Sequence, residues 1–393
     1  MANLLDYLAT EFAAFDEKPF NPVDSAALSQ LCMVCGKGIV AAWEEQPGHI
    51  TAKRGIGAIA ERVLPRRQAG AHFTDLLKAE NYASMFTGLD PKNAKDNLLA
   101  LAASPRFRTM TAHDYASIFD EQREIQFSAM TFVQGREFAY VGFRGTDSSI
   151  VGWKEDFMMA YDSPVPAQEQ ALRYLESVAR HTPKKLIVGG HSKGGNLAEY
   201  AALKASPQVQ QRIERVYVHD SPGFKAGTFT KADYAPILSR LHKTVPQDSV
   251  IGLLLESYAP LHVVHSTEKG IGQHSIFSWD VEGDDFVYEK RLTGNARAAS
   301  DIMHEWLARY DNEERKQLVS AIFHAIEASG AQDALDLLSG GPRTATLLIE
   351  AARNTNGTDR DTLLSAATAF AETAAAHLGK SVSSHLGKTV AAT

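Results

Sequence analysis

The pattern of apolar and polar positions changes character near residue 125. Upstream, the chain reads as mainly helical, broken by turn clusters such as Phe20-Asn21-Pro22 and Leu89-Asp90-Pro91. Two β-prone apolar runs then follow, at 125–133 (IQFSAMTFV) and 137–145 (EFAYVGFRG), joined by Gln134-Gly135-Arg136. Two such runs around a short glycine-containing link predict a hairpin. Between residues 168 and 180, Ala171, Tyr174, Leu175 and Val178 recur at helical spacing. A short buried strand is expected at 185–190 (KLIVGG), a helix at 196–204, and strands at 215–220 (RVYVHD) and 261–266 (LHVVHS). A last hairpin is expected over 279–288, around Glu282-Gly283-Asp284. Beyond residue 296 the pattern is helical, at 301–309, 313–329, 331–338 and 361–378.

Strand and helix therefore alternate over about 125–285, the signature of an α/β fold with a mostly parallel sheet and helices on both faces. The organisation expected is a mainly helical N-terminal extension (1–124), an α/β core (125–296), C-terminal helices (297–360) and an Ala/Ser-rich helical tail (361–393). The tail carries an internal echo, HLGKSV at 377–382 and HLGKTV at 385–390. Two readings stand for it, a mobile end of the chain or a helix that contacts a membrane surface or a partner weakly.

Composition narrows the function classes. With 40 Lys+Arg against 47 Asp+Glu the net charge over 393 residues is −7, and 44% of residues are apolar. A nucleic-acid binder needs a basic surface, so that class is set aside. Such a length buries a core without disulfides or metals, and Cys32 and Cys35 are too few for a disulfide framework. No basic start followed by an apolar run suggests a signal peptide, and no apolar run is long enough to span a membrane. A cytoplasmic location is the expectation. Cys32-x-x-Cys35 has no second ligand pair, so a buried thiol pair is expected rather than a zinc site. His304-Glu305 opens like a zinc-protease helix, but Ala308 stands where the second histidine would be. No metal is implied.

The chemistry is concentrated between a strand and a helix, in Gly189-Gly190-His191-Ser192-Lys193-Gly194-Gly195-Asn196. Gly190-x-Ser192-x-Gly194 is the nucleophile elbow of the α/β-hydrolase fold, in which a strained turn lifts the serine Oγ above the sheet. A phosphate loop would need Lys and Ser/Thr after its second glycine, and that position is Gly195. A serine needs a base and an orienting carboxylate, which follow it in the order Asp/Glu, then His. Asp248, after a β-prone stretch and Pro246, is the preferred acid, with Asp220 (VYVHDSPGF) the alternative. His274, in the polar loop Gly270-Ile271-Gly272-Gln273-His274-Ser275, is the preferred base over His262 and His265, which fall within a strand pattern. The oxyanion donors expected are the Lys193 N–H and Thr146, in the loop Phe143-Arg144-Gly145-Thr146-Asp147. Candidate substrate contacts are Trp153, His191 and Phe224, although elbow geometry turns the His191 side chain towards packing.

The segment Val141-Gly142-Phe143-Arg144-Gly145-Thr146, followed by Trp153 and Asp156, resembles the oxyanion segment of class 3 (fungal-type) lipases. A bacterial lipase-like family of unassigned function is a closer match. It shares the start at 24–31, Arg106-Phe107, Gln126-Phe127, GHSKGGNLA, HDSPGF and QHSIFSW, over nearly the whole chain. The resemblance implies Ser192 as nucleophile, Asp248 as acid, His274 as base and Thr146 at the oxyanion hole, with no cofactor.

Lys193 departs from those lipases, which usually carry Leu there. It reads either as a selector for an anionic substrate or as a solvated lysine on the first helical turn. Ile150, Trp153 and Phe157 recur at helical spacing, as a lid helix or as core. The function expected is a serine hydrolase acting on a small-molecule acyl ester. Acyl transfer or thioester cleavage on the same triad is one alternative, and an idle hydrolase fold acting as a scaffold is another.

Overall fold

The structure is a computed structural model that describes residues 2–43, 70–86, 88–329, 343–353 and 355–390. Before the sheet, Asn3 caps helix α1 (Leu4–Thr10), and Asn21 with Pro22 and Asp24 starts α2 (Pro22–Leu31) through a capping box. A third helix, α3, spans Pro91–Ala103. Eight strands then lie side by side in chain order. They are β1 (Ala71–His72), β2 (Met110–Asp120), β3 (Ile125–Gln134), β4 (Phe138–Phe143), β5 (Lys185–His191), β6 (Ile213–His219), β7 (Leu241–Pro246) and β8 (Leu261–Val264).

The first four strands pair antiparallel, and β4 to β8 pair parallel. The hairpin expected at 125–145 is present, with Ala129 opposite Phe143. The switch to parallel pairing requires crossovers. Helix α4 (Ile150–Met158) and α5 (Pro166–His181) connect β4 to β5, and α6 (Lys193–Lys204) leads from β5 towards β6. Strands covered on both faces carry continuous apolar runs, and β3 is buried at every position but its last.

One face of the sheet packs on α2, with Leu28, Leu31, Tyr140, Ile187 and Tyr217 in a shared core. The other packs on α5 and α6, through Val141, Val188 and Val216 against Tyr174, Leu197 and Ala201. A third core joins α4 to the C-terminal helices α7 (Gly294–Leu307), α8 (Asn312–Ser329), α9 (Arg343–Arg353) and α10 (Gly357–Val390). The hairpin near 279–288 is a two-stranded ribbon, Val281–Glu282 with Asp285–Phe286.

The segment expected to be a mainly helical extension before residue 125 also carries Met110–Asp120, a long strand paired along β3. Its register shifts between His113 and Ala116, and Asp114 lies at φ 53°. That irregularity breaks the two-residue alternation by which a strand is read. The helix expected at 331–338 lies outside the described residues. The repeat of the tail lies on the backbone of α10.

Candidate active site

The turn between β5 and α6 holds Ser192 at φ 58°, ψ −134°, a conformation that ordinary side chains rarely adopt. The flanking glycines are needed because backbones meet here. A Cβ on Gly190 would lie 2.2 Å from the Gly194 carbonyl oxygen, and one on Gly194 would lie 2.2 Å from that of Phe143. Helix α6 begins at Lys193, whose N–H is in the first turn and has no intrahelical acceptor. That N–H and the helix dipole favour negative charge at the serine.

Parallel register places Asp220. His191 on β5 pairs with His219 on β6, so Ser192 and Asp220 leave adjacent strands at the same height. The Ser192 N–H donates to the His219 carbonyl at 3.0 Å, and the Asp220 N–H to the Thr244 carbonyl at 2.7 Å. Asp220 is buried, and its Oδ2 accepts from His274 Nδ1 at 2.7 Å. Its Oδ1 accepts from Ser249 Oγ at 2.5 Å and from the Gly252 N–H at 3.1 Å. A carboxylate so held fixes the Nδ1–H tautomer and leaves Nε2 free to take a proton.

Asp248, the expected acid, is elsewhere. Its side chain accepts from Thr293 Oγ1, the N-cap of α7, and from Gln273 Nε2 at 3.3 Å. Asp248 therefore ties the loop of His274 to the start of α7, while Asp220 takes the position at the imidazole. The correction has a simple cause. β6 is the immediate neighbour of the serine strand and β7 is one strand further out.

The side chain of Lys193 faces neither solvent nor an open anion site. It is 1% exposed, and its Nζ lies 2.6 Å from Glu155 Oε2 and 3.7 Å from Asp156 Oδ1, and donates to the Gln126 carbonyl at 2.9 Å. Glu155 also accepts from the Gln126 N–H at 2.9 Å and the Ala167 N–H at 2.7 Å. Both expectations for this lysine are thus corrected: the ammonium is internally neutralised. Thr146 is buried, and its hydroxyl donates to Asp156 Oδ2. Burial pushes the Asp156 carboxyl up to about 6, against the pull of Lys193 and Thr146.

His191 stacks on His274, ring centroids 4.5 Å apart, and its Nε2–H donates to the His274 carbonyl at 2.8 Å. Burial, with the neighbouring His274, lowers its pKa to about 3, so this ring is neutral and packs against His274. Phe224, expected at the substrate, is instead buried against Phe229 and Tyr200 in the core. Cys32 is buried against β4, where a Cβ on Gly142 would lie 2.4 Å from its Sγ.

Ser192, Thr146, His274 and Trp153 line one cavity of about 130 Å³. Its walls are otherwise mostly apolar and come largely from the C-terminal helices, including Met303, Trp306, Leu318 and Ile322. Sequence reasoning did not find these wall residues, nor Glu155 and Ser249, because no local motif connects them to the serine. The helical spacing of Trp153 and Phe157 was visible, and both side chains pack on the C-terminal helices.

Comparison with known proteins gives the following. The chain is similar to a fungal lipase solved with an inhibitor as a model for interfacial activation (18% identity, TM-score 0.32, covering 44% of this chain and 70% of that one). It is similar to M37 lipase (17%, TM-score 0.30, 44% and 68%). It is also similar to Rhizomucor miehei lipase in its propeptide complex (15%, TM-score 0.30, 59% and 84%). No curated protein matches the sequence. The Mbeg1-like family model matches residues 101–324, more than half of the 393 residues and all of the segment from β2 through the elbow, Asp220 and His274. The chain belongs to the Mbeg1-like family.

Proposed function

We propose that this protein is a serine hydrolase that cleaves carboxylic esters through Ser192, His274 and Asp220. The observation that carries this reading is the 2.7 Å contact of His274 Nδ1 with the buried Asp220, beside a serine held at φ 58° on the same cavity. His274 Nε2 takes the Ser192 proton as Oγ attacks the acyl carbon. Asp220 stabilises the imidazolium that forms. The Lys193 N–H and Thr146 stabilise the tetrahedral oxyanion, a contribution of about 100- to 1000-fold in turnover per donor. His274 then protonates the leaving alcohol and activates water to release the acyl group.

The Thr146 hydroxyl is committed to Asp156, which favours its backbone N–H as the donor to the oxyanion. The test is labelling by a fluorophosphonate probe, together with hydrolysis of p-nitrophenyl butyrate. Wild type is expected to label and turn over, and Ser192→Ala to do neither. A wild type that resists the probe and leaves the ester intact returns the fold to a scaffold role.

A further inference from the structure

Besides Lys193, the cavity at Ser192 carries a second cation among the described residues. Arg315, near the start of α8, lines it together with Ser192 and His274. The guanidinium is partly buried. Its Nε donates to the Leu307 carbonyl at 3.0 Å and its Nη1 to the Ala160 carbonyl at 2.9 Å. Nη2 has no partner among the described residues, and no carboxylate of those residues lies within ion-pair reach. Asp311 is the acidic neighbour that acts on it from a distance. Burial lowers the Arg315 pKa, the mark of a cation that gives up water without gaining an anion.

The other charges lining the cavity are Asp156 and Lys193, and the Lys193 ammonium lies between Glu155 and Asp156. Asp156 marks the oxyanion end, through its bond from Thr146. Ala160, just past the end of α4, accepts from Arg315 and marks the Arg315 end. A chain bound between them has its reacting carbon at Ser192, apolar walls along its length and a guanidinium at its far end. About 130 Å³ is close to the roughly 150 Å³ engineered cavity that accepts benzene, so the chain is short.

We infer that the preferred substrate is an ester whose short acyl chain ends in a carboxylate, held by Arg315 while the alcohol half faces solvent. This inference rests on the hydrolase reading and adds the substrate class to it. A planar guanidinium with free N–H groups matches a carboxylate, and its charge-assisted hydrogen bonds set the scale of discrimination at about ten- to a hundredfold.

The experiment compares kcat/KM for the mono-p-nitrophenyl ester of adipic acid with that for p-nitrophenyl hexanoate, in wild type, Arg315→Lys and Arg315→Met. The ratio is expected to favour the adipate ester about tenfold or more in wild type. It is expected to fall to one or below in Arg315→Met and to lie between in Arg315→Lys. A third ester, with a neutral hexanoyl chain and a carboxylated nitrophenol, places the anion on the alcohol side. A preference for that ester that depends on Arg315 overturns the acyl-side assignment.

Binding of monomethyl adipate and of methyl hexanoate to Ser192→Ala, followed by calorimetry, reads recognition without catalysis. Tighter binding of the adipate that is lost on adding Arg315→Met supports the inference. Equal binding of both ligands, or a preference that survives Arg315→Met, ends it. Failure of the fluorophosphonate to label wild type counts against the hydrolase reading instead, and the two failures are separate observations.

Discussion

Replacing Asp220 by Asn separates the two carboxylates that stand for the acid. In the protein Asp220 Oδ1 accepts from Ser249 Oγ and the Gly252 N–H, while Oδ2 accepts from His274 Nδ1. An asparagine keeps its carbonyl oxygen towards the two donors, because an amide NH2 there would face N–H and O–H groups. The NH2 then points at Nδ1, which must become an acceptor. The proton moves to Nε2, and the imidazole no longer accepts the Ser192 proton. An Asp-to-Asn change of this kind in a serine protease triad costs about 10⁴-fold in kcat, equivalent to about 5.4 kcal/mol. The same loss is expected here with little change in KM.

Asp248→Asn is the control. It weakens the contacts with Thr293 and Gln273 and is expected to cost about 1 kcal/mol of stability and less than tenfold in kcat. The assay is kcat and KM on p-nitrophenyl butyrate, with thermal unfolding of both variants to show that they fold. An Asp248→Asn loss as large as that of Asp220→Asn, in folded protein, would falsify the assignment made from geometry.

Three further outcomes follow from the same contacts. Lys193→Met leaves Glu155 and Asp156 buried without their cation and is expected to lower stability by about 3–5 kcal/mol, read by urea unfolding; a loss under about 1 kcal/mol refutes the buried pairing. His191, His219 and His242 all have pKa values lowered by burial, His191 and His242 to about 3. Their unfolded forms take up protons below about 6.5 while the folded forms do not, so each removes up to about 1.4 kcal/mol per pH unit as pH falls from 6.5 towards 3. Asp156, held up near 6, works in the opposite sense over about pH 4 to 6 and offsets one of the three. Urea midpoints should therefore fall between pH 7 and 4.5, and flat midpoints contradict the buried neutral rings. Finally, Trp153 lies on the cavity with Ser192 and packs on the C-terminal helices, so a bulky phosphonate on Ser192 should shift its emission, tested with Trp43, Trp279 and Trp306 replaced by Phe. Unchanged emission on full labelling refutes a Trp153 wall that responds to the acyl group.

Local physics is legible without the fold. The run LIVGGHSKGGNLA identifies a strand, a strained turn and a helix, because only a serine at positive φ between glycines satisfies the close approach of Gly190 to Gly194 and of Gly194 to Phe143. Ser192, the polar loop of His274 and the loop of Thr146 follow from that. Apolar runs likewise locate α5, β3 and β5 within a few residues. The strand at Met110–Asp120 escapes such reading because its bulge disrupts the alternation.

Tertiary structure alone decided three matters, each a question of which distant segments meet. Register between β5 and β6 put Asp220 level with Ser192, and a residue's distance along the chain carries no information about register. Burial turned Lys193 inward onto Glu155, since a lysine beside a nucleophile looks the same in sequence whether its ammonium meets water or a carboxylate. Closure of the C-terminal helices over α4 brought Arg315, more than a hundred residues from Ser192, onto the cavity of the serine. The amino-acid order thus determined the strained turn that holds Ser192 between glycines. The carboxylate that meets His274, the buried pairing of Lys193 and the presence of Arg315 on the cavity were set by packing.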